Sequence, residues 1–160
     1  MASEVRPVTA DDVDQVVEFS LRAWRPVFDS FRAVLGDAVY TRVYPDWVAS
    51  QAAAVRSVCL DEDMDVFVAE EAGTVVGYVV VAFHQDPPKG EIDMIAVDPD
   101  FQRRGHGAML TSFALQHIAS RGMPLATVAT GGDPGHASSR RLYEAAGFVA
   151  LPLVRYYKPL

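Results

Sequence analysis

The sequence has very little cysteine and no long hydrophobic run. Its one cysteine, Cys59, excludes an internal disulfide. No CxxC pair or zinc-like His/Cys spacing occurs, so we expect no bound metal. The longest apolar run, 75–83, is far shorter than the ~20 residues that cross a bilayer. The first residues also lack the basic and apolar regions of a signal peptide, which predicts a cytoplasmic protein.

Basic residues are few as well. The chain has 14 Lys and Arg against 21 Asp and Glu, a formal net charge of −7. Such a surface disfavours nucleic-acid phosphates and anionic lipid, so we expect neither nucleic acid nor membrane as a partner. A cationic substrate suits this charge better. Because 50% of the 160 residues are hydrophobic, the chain has enough apolar surface for a core, and its length predicts a single domain over residues 1–160.

The first half of the chain predicts a strand, two helices and a β-hairpin. A capping box at Thr9 and Asp12 begins the first helix, and Pro26 is expected to end it. The second helix is expected from near Pro45 to Cys59. The predicted strands here are 5–8, 66–70 and 74–83, followed by a loop over 84–90.

The second half alternates strands with helices. A strand over 91–97 precedes a helix that starts at the glycines 105 and 107 and ends at Gly122. The remaining expectations are a strand over 125–129, a loop over 131–135, a helix over 138–146 and one or two final strands within 148–157. This order predicts one mixed α/β layer structure.

The turn between the third long strand and its helix carries the chemical signal. Glycines at Gly105 and Gly107 let a ligand approach the free N–H groups of a helix start, where phosphate oxygens bind. A dinucleotide fold would need a third glycine where Leu110 stands, and a P-loop would need Gly-Lys-Ser/Thr. Neither pattern is present, so another phosphate-bearing ligand is indicated.

Two motifs resemble those of the GNAT superfamily of N-acetyltransferases. The first is Ile95-Ala-Val-Asp-Pro-Asp-Phe-Gln-Arg-Arg-Gly-His-Gly107, and the second is Leu142-Tyr-Glu-Ala-Ala-Gly-Phe148. The resemblance covers roughly residues 5–157 and is weakest over 28–60. It implies an α/β fold with a mixed, mostly antiparallel twisted sheet of six to seven strands, flanked by about four helices. Acetyl-CoA would lie where the fourth and fifth strands separate.

The resemblance implies an N-acetyltransferase that uses acetyl-CoA as co-substrate. The acetyl group would pass directly, in a ternary complex, to a primary amine of a small molecule. Many members have Asn where this chain has His136, so the local cofactor contact differs. The residues expected to contact the cofactor are Ile95, Ala96, Val97, Gln102, Arg103, Arg104, Gly105, His106, Gly107, His136 and Arg140.

Three residues are candidates for proton transfer. By its motif position, Tyr143 resembles the general acid that protonates the CoA thiolate. Glu91 resembles a general-base glutamate of histone-acetylating relatives, and Asp93 is the second candidate for the base. Strict strand alternation would place Glu91, Asp93 and Ile95 on one face. Alternatively, either carboxylate faces water at a strand end.

The acceptor is expected against the first two helices, where aromatic and acidic residues interleave. These rings could hold an amine through cation–π contacts, or pack in the core or a homodimer interface. Two other functions remain open: a peptide or protein N-acetyltransferase, and a non-catalytic CoA-binding sensor module. The residues concerned are Trp24, Phe28, Phe31, Tyr40, Tyr44 and Trp47, with Asp29, Asp37 and Asp46.

Overall fold

One five-stranded sheet organises the protein, whose computed structural model describes residues 3–160. The strands lie in chain order, and neighbours are antiparallel except for the parallel fourth and fifth strands. The central strand is rich in valine, a β-branched residue that packs well on a pleated sheet. The strands are β1 (Glu4–Pro7), β2 (Asp65–Glu71), β3 (Thr74–Gln85), β4 (Pro88–Val97) and β5 (Ala126–Val128).

Helices cover both faces of the sheet and form two cores. The first and third helices bury one face, and the fourth buries the other. This mixed, mostly antiparallel α/β arrangement confirms the predicted fold class. Met1 and Ala2, included in the predicted domain, lie outside the described residues. The helices are α1 (Val13–Leu35), α2 (Asp37–Val43), α3 (Trp47–Cys59), α4 (His106–Ser120) and α5 (Ala137–Ala145).

Helix α1 continues through Pro26, so the predicted helix end there is wrong. Trp24, Phe28 and Phe31 follow one another at helical spacing, and Phe28 is buried with its ring stacked 4.3 Å from that of Trp47. This aromatic packing offsets the backbone hydrogen bond that proline removes. The short helix α2 lies in a stretch for which the sequence predicted no element, and with it the described residues contain five α-helices.

The sheet has five strands rather than the six or seven predicted. No strand among the described residues pairs with the segment 148–160, which therefore forms no strand itself. A strand needs a hydrogen-bonded neighbour, and high β-propensity alone does not supply one. The large apolar side chains of this segment are mostly exposed: Val149, Leu151, Leu153, Val154, Tyr156 and Leu160.

The predicted loop over 84–90 is also wrong. Strand β3 extends to Gln85 and β4 begins at Pro88, so only two residues separate them. His84 pairs with Lys89 and Gln85 with Pro88 in an antiparallel register. Because cross-strand pairing satisfies these backbone groups, the polar and proline-rich composition does not end the strands.

The predicted capping box before α1 is present. The Thr9 backbone N–H donates to Asp12 Oδ2 at 2.8 Å, and the Thr9 hydroxyl donates to the same oxygen at 2.9 Å. Arg6 adds an ion pair to Asp12 at 2.8 Å from the neighbouring strand. The Arg6 hydrogen bond is the main cause that lowers the pKa of Asp12 to about 2. The carboxylate thus joins β1 to the start of α1.

Replacing Asp12 by asparagine is expected to lower the free energy of unfolding at pH 7 by about 2 kcal/mol, because the fold shifts the carboxyl pKa from 3.8 to about 2. The lowered pKa means that this stabilisation is complete above about pH 4 and is lost as the pH falls towards 2. Denaturant unfolding of both proteins between pH 7 and pH 2 measures the gap. Asp11→Asn, at an exposed neighbour, should change stability by less than about 0.5 kcal/mol. A gap that stays constant to pH 2 would contradict the assignment.

Candidate active site

A β-bulge in β4 decides which side chains face the site. Val81 pairs with Ile92 and Val80 with Met94, so Asp93 is an extra residue in β4. In a regular strand, Ile92 and Met94 would face the same side, because two positions separate them. Here Ile92 packs towards α4 and Met94 towards α1.

Since Ile92 and Ile95 both pack towards α4, Glu91 lies on the opposite face from Ile95. The predicted shared face of Glu91, Asp93 and Ile95 is wrong. The physical reason is the bulge, which reverses the alternation of side chains beyond it.

A cavity opens where β4 and β5 separate. The two strands pair only over Gly90–Ile92 and Ala126–Val128. Beyond this point, β3 is the one strand that lies beside residues 93–97. The open edge of β4 faces a cavity of about 870 Å³. Its other walls are α1, the first turn of α4, the end of β5 and α5.

The turn that enters α4 closes one end of this cavity. Gly105 precedes the helix at φ 87°, a conformation that favours glycine. The first N–H groups of α4 have no partner within the helix, so they can bind an anion. Gln102 Nε2 donates to Val97 O at 3.1 Å and ties the turn to β4. From this turn, the cavity is lined by Gln102, Arg103, Gly105, His106 and Gly107.

The imidazole of His106 is directed away from an incoming anion. Its side chain is buried, and Nε2 lies 2.8 Å from Glu71 Oε2 on β2. Only the backbone of His106 is therefore placed to meet a phosphate. Ile95, Ala96 and Val97 also line the cavity, as the motif implies.

Two arginines predicted to contact the cofactor do not line the cavity. Arg104 lies over the ring of Phe101 at 4.9 Å and reaches Glu71 at 3.5 Å. Arg140 donates to Gly131 O at 2.6 Å and to Asp133 O at 2.8 Å, which braces the loop before α5. Arg141 does line the cavity, and no pattern in the sequence distinguished it from its neighbour.

Tyr143 and Asp93 line the cavity, whereas Glu91 does not. Burial alone raises the pKa of Tyr143 to about 12, so its phenol stays protonated near neutral pH. Burial, followed by the nearby Glu91 charge, raises the pKa of Asp93. Glu91 instead lies 2.9 Å from His84 Nε2. The structure therefore brings two of the three proton-transfer candidates into one cavity.

Half of the predicted acceptor aromatics reach the cavity: Trp24, Phe28 and Phe31. The other three rings pack around them, as in the stack of Tyr44 on Phe31 at 5.4 Å. None of the three predicted carboxylates lines the cavity. Asp37 pairs with Arg32 at 2.6 Å, and Asp46 caps α3 by accepting from the Ala49 N–H at 3.0 Å.

The loop over 131–136 contributes His136 to the cavity wall. His136 Nδ1 lies 2.5 Å from Asp133 Oδ1, and Ser30 of α1 donates to Asp133 Oδ2 at 2.6 Å. Neither Asp133 nor Ser30 was a predicted site residue. The Asp-Pro-Gly-His sequence signals a turn, but nothing in it indicates the contact with a serine 103 positions earlier.

Residues 3–160 contain no cluster of three or more His, Cys, Asp or Glu side chains arranged for a metal ion. None of the helices in this part of the chain is long and apolar enough to cross a membrane.

A model of the acetyltransferase (GNAT) family matches residues 24–148. A mycothiol acetyltransferase of Thermomonospora curvata is 35% identical over 94 residues, which cover 58% of this chain and 31% of that protein. One from Amycolatopsis mediterranei is 32% identical over 144 residues, covering 81% of this chain and 46% of that protein. The chain thus spans less than half the length of these relatives.

Among solved structures, the aminoglycoside N-acetyltransferase AAC(6')-Iy, in complex with a bisubstrate analogue containing CoA, superposes with a TM-score of 0.69. The alignment covers 99% of this chain and 98% of that chain at 17% identity. At this identity the likeness concerns the fold. The family-model match covers both motifs and every residue that lines the cavity except Ala23.

Proposed function

Since the chain belongs to the acetyltransferase (GNAT) family, we propose that it transfers the acetyl group of acetyl-CoA to the primary amine of a small molecule. Both substrates would bind together, and transfer would be direct. The observation that carries this proposal is the open edge of β4, which leads along the cavity to the unpaired amides of α4. An extended thioester and its phosphates match these two features in that order.

The cofactor binds through backbone groups more than through side chains. Its pantetheine arm pairs with Ile95 and Val97 like an added strand, with Ala96 between them. The pyrophosphate rests on the turn, where Gln102, Arg103, Gly105, His106 and Gly107 line the cavity. Three further residues remain predicted cofactor contacts: Arg104, His136 and Arg140. In the structure, their side chains contact other groups of the protein.

The chemistry needs a polarised carbonyl, a base and an acid. A backbone N–H of β4 near Ile95 polarises the thioester carbonyl. Tyr143 donates a proton to the departing thiolate, since burial keeps its phenol protonated. Of the two predicted bases, Asp93 lies at the cavity and Glu91 stays a prediction outside its wall.

The acceptor is a small molecule with an amine and an apolar body. Trp24, Phe28 and Phe31 supply an aromatic wall in the same cavity that receives the cofactor. Mycothiol and aminoglycosides, for which the relatives are named, are themselves small molecules. Both observations favour a small amine over a peptide.

Calorimetry with acetyl-CoA, followed by a thiol-release screen, tests the proposal. We expect binding heat from acetyl-CoA and release of free CoA thiol with at least one small primary amine. Turnover confined to peptides would overturn the acceptor class. Binding without turnover of any amine or peptide would favour the sensor alternative, and absence of binding by folded protein would overturn the cofactor assignment.

A further inference from the structure

The loop between β5 and α5 holds an aspartate–histidine pair at the acceptor end of the cavity. His136 Nδ1 lies 2.5 Å from Asp133 Oδ1, with side-chain exposures of 18% and 8%. The other two hydrogen bonds of the Asp133 carboxylate are to Oδ2, from the Ser30 hydroxyl at 2.6 Å and the Gly135 N–H at 3.1 Å. The carboxylate is thus fixed by two elements, and it fixes the imidazole in turn.

Glycine at two loop positions makes room for this pair. A Cβ on Gly131 would lie 2.5 Å from His136 Nδ1 and closer still to Asp133 Oδ1. A Cβ on Gly135 would lie 2.6 Å from the Cβ of Ser30. Any larger residue at either position would displace the hydrogen-bonded groups. The glycines of the Gly-Gly-Asp-Pro-Gly-His sequence therefore leave the space in which Asp133 contacts His136.

The hydrogen bonds determine which ring nitrogen is free. Burial opposes ionisation of Asp133, but hydrogen bonds from Ser30 and His136 outweigh it, and the net effect lowers the pKa of this carboxyl. An ionised carboxylate only accepts, so the proton of a neutral imidazole is on Nδ1. The lone pair is then on Nε2, and the one hydrogen bond that the ring makes within residues 3–160 is through Nδ1.

On the basis of the proposed function, we propose that His136 is the general base for the acceptor amine and that Asp133 is the residue that positions it. The ring lines the cavity beside Phe31, 5.5 Å away between centroids, where the acceptor is expected. Imidazole is the side chain best matched to proton transfer near neutral pH. By contrast, Glu91 is engaged by His84 and lies outside the cavity wall.

The transfer balances with these residues and Tyr143. The neutral amine nitrogen attacks the thioester carbon, its N–H proton passes to His136 Nε2, and the C–N bond forms. The C–S bond then breaks, and the thiolate takes a proton from the Tyr143 phenol. Exchange with water returns one proton to Tyr143 and removes one from His136. The products are the acetylated amine and CoA as a free thiol.

His136→Asn should lower kcat/KM for the amine about 100-fold, the low end of general-base contributions. Asp133→Asn should lower it roughly 10-fold, as expected when one charge-assisted hydrogen bond is lost.

His84→Asn is the matched control, since His84 also binds a carboxylate, 2.9 Å away, but lies outside the cavity wall. It should leave kcat/KM within about twofold. Nitrogen NMR of the resting protein supplies a readout besides activity: the Nδ1–H tautomer of His136 should be present and should be lost in Asp133→Asn.

The outcomes separate this proposal from the proposed function. If no amine is acetylated by the unaltered protein, the proposed function fails. If transfer occurs but His136→Asn costs less than about threefold while Asp93→Asn or Glu91→Gln costs 100-fold, the base lies on β4 and this inference is overturned. An Nε2–H tautomer in the unaltered protein would overturn it as well.

Discussion

Replacing Tyr143 by phenylalanine is expected to lower kcat roughly 1000-fold, which is within the range of general-acid contributions. The buried side chain lines the cavity, and its pKa of about 12 keeps the proton in place near neutral pH. Phenylalanine keeps the ring and its edge-to-face contact with Phe148, at 5.9 Å, so the fold and acetyl-CoA affinity are retained. Single-turnover kinetics and calorimetry separate the two effects.

Tyr156→Phe is the matched control, because it removes the same hydroxyl from an exposed side chain that does not line the cavity. Its kcat should equal that of the unaltered protein. If Tyr143→Phe turns over amines as fast as this control while it binds acetyl-CoA normally, the general-acid role is lost.

Gly107→Asp is expected to weaken acetyl-CoA binding roughly 1000-fold without unfolding the protein. A carboxylate about 4 Å from a bound phosphate charge costs about 4 kcal/mol at an effective dielectric of 20, and 1.4 kcal/mol is tenfold in Kd. A Cβ at this position meets Leu142 at an ordinary 3.5 Å, so the first side-chain atom fits. An acidic residue in the first helical turn should also stabilise α4 by about 0.5 kcal/mol. Calorimetry and thermal unfolding measure the two opposed effects.

Ala119→Asp adds the same charge at the opposite end of α4, at an exposed position. Acetyl-CoA affinity should be unchanged there, and stability should fall slightly because the carboxylate lies at the negative end of the helix dipole. Equal loss of affinity in both variants would point to net charge rather than to a phosphate site at the turn.

Sequence patterns predicted the structure best where residues close together in the chain supply one another's hydrogen-bond partners. The capping box at Thr9 and Asp12 is an example, because the three-residue spacing already contains both partners. The glycine turn before α4 is another, since its conformation and its free amides depend on a few adjacent positions. Both were predicted from the sequence and are present.

Patterns misled where distant contacts decide the outcome. Pro26 is a helix breaker by itself, but burial of Phe28 against Trp47 maintains α1 through it. The segment 148–157 has strand-like composition but no neighbouring strand in the part of the chain that the structure describes. Alternation along β4 failed at Asp93, because the bulge is a property of pairing with β3.

By itself, the sequence determined the fold class, the family and the turn at which phosphate is expected, because these depend on periodicity and on short motifs. Only the tertiary structure decided which side chains share the cavity. In the structure, Glu91 and Arg140 do not line the cavity. Ser30 donates a hydrogen bond to Asp133, which in turn contacts His136. The reason is physical: a hydrogen bond between residues 103 positions apart depends on how α1 packs against the loop, and no local spacing encodes that packing.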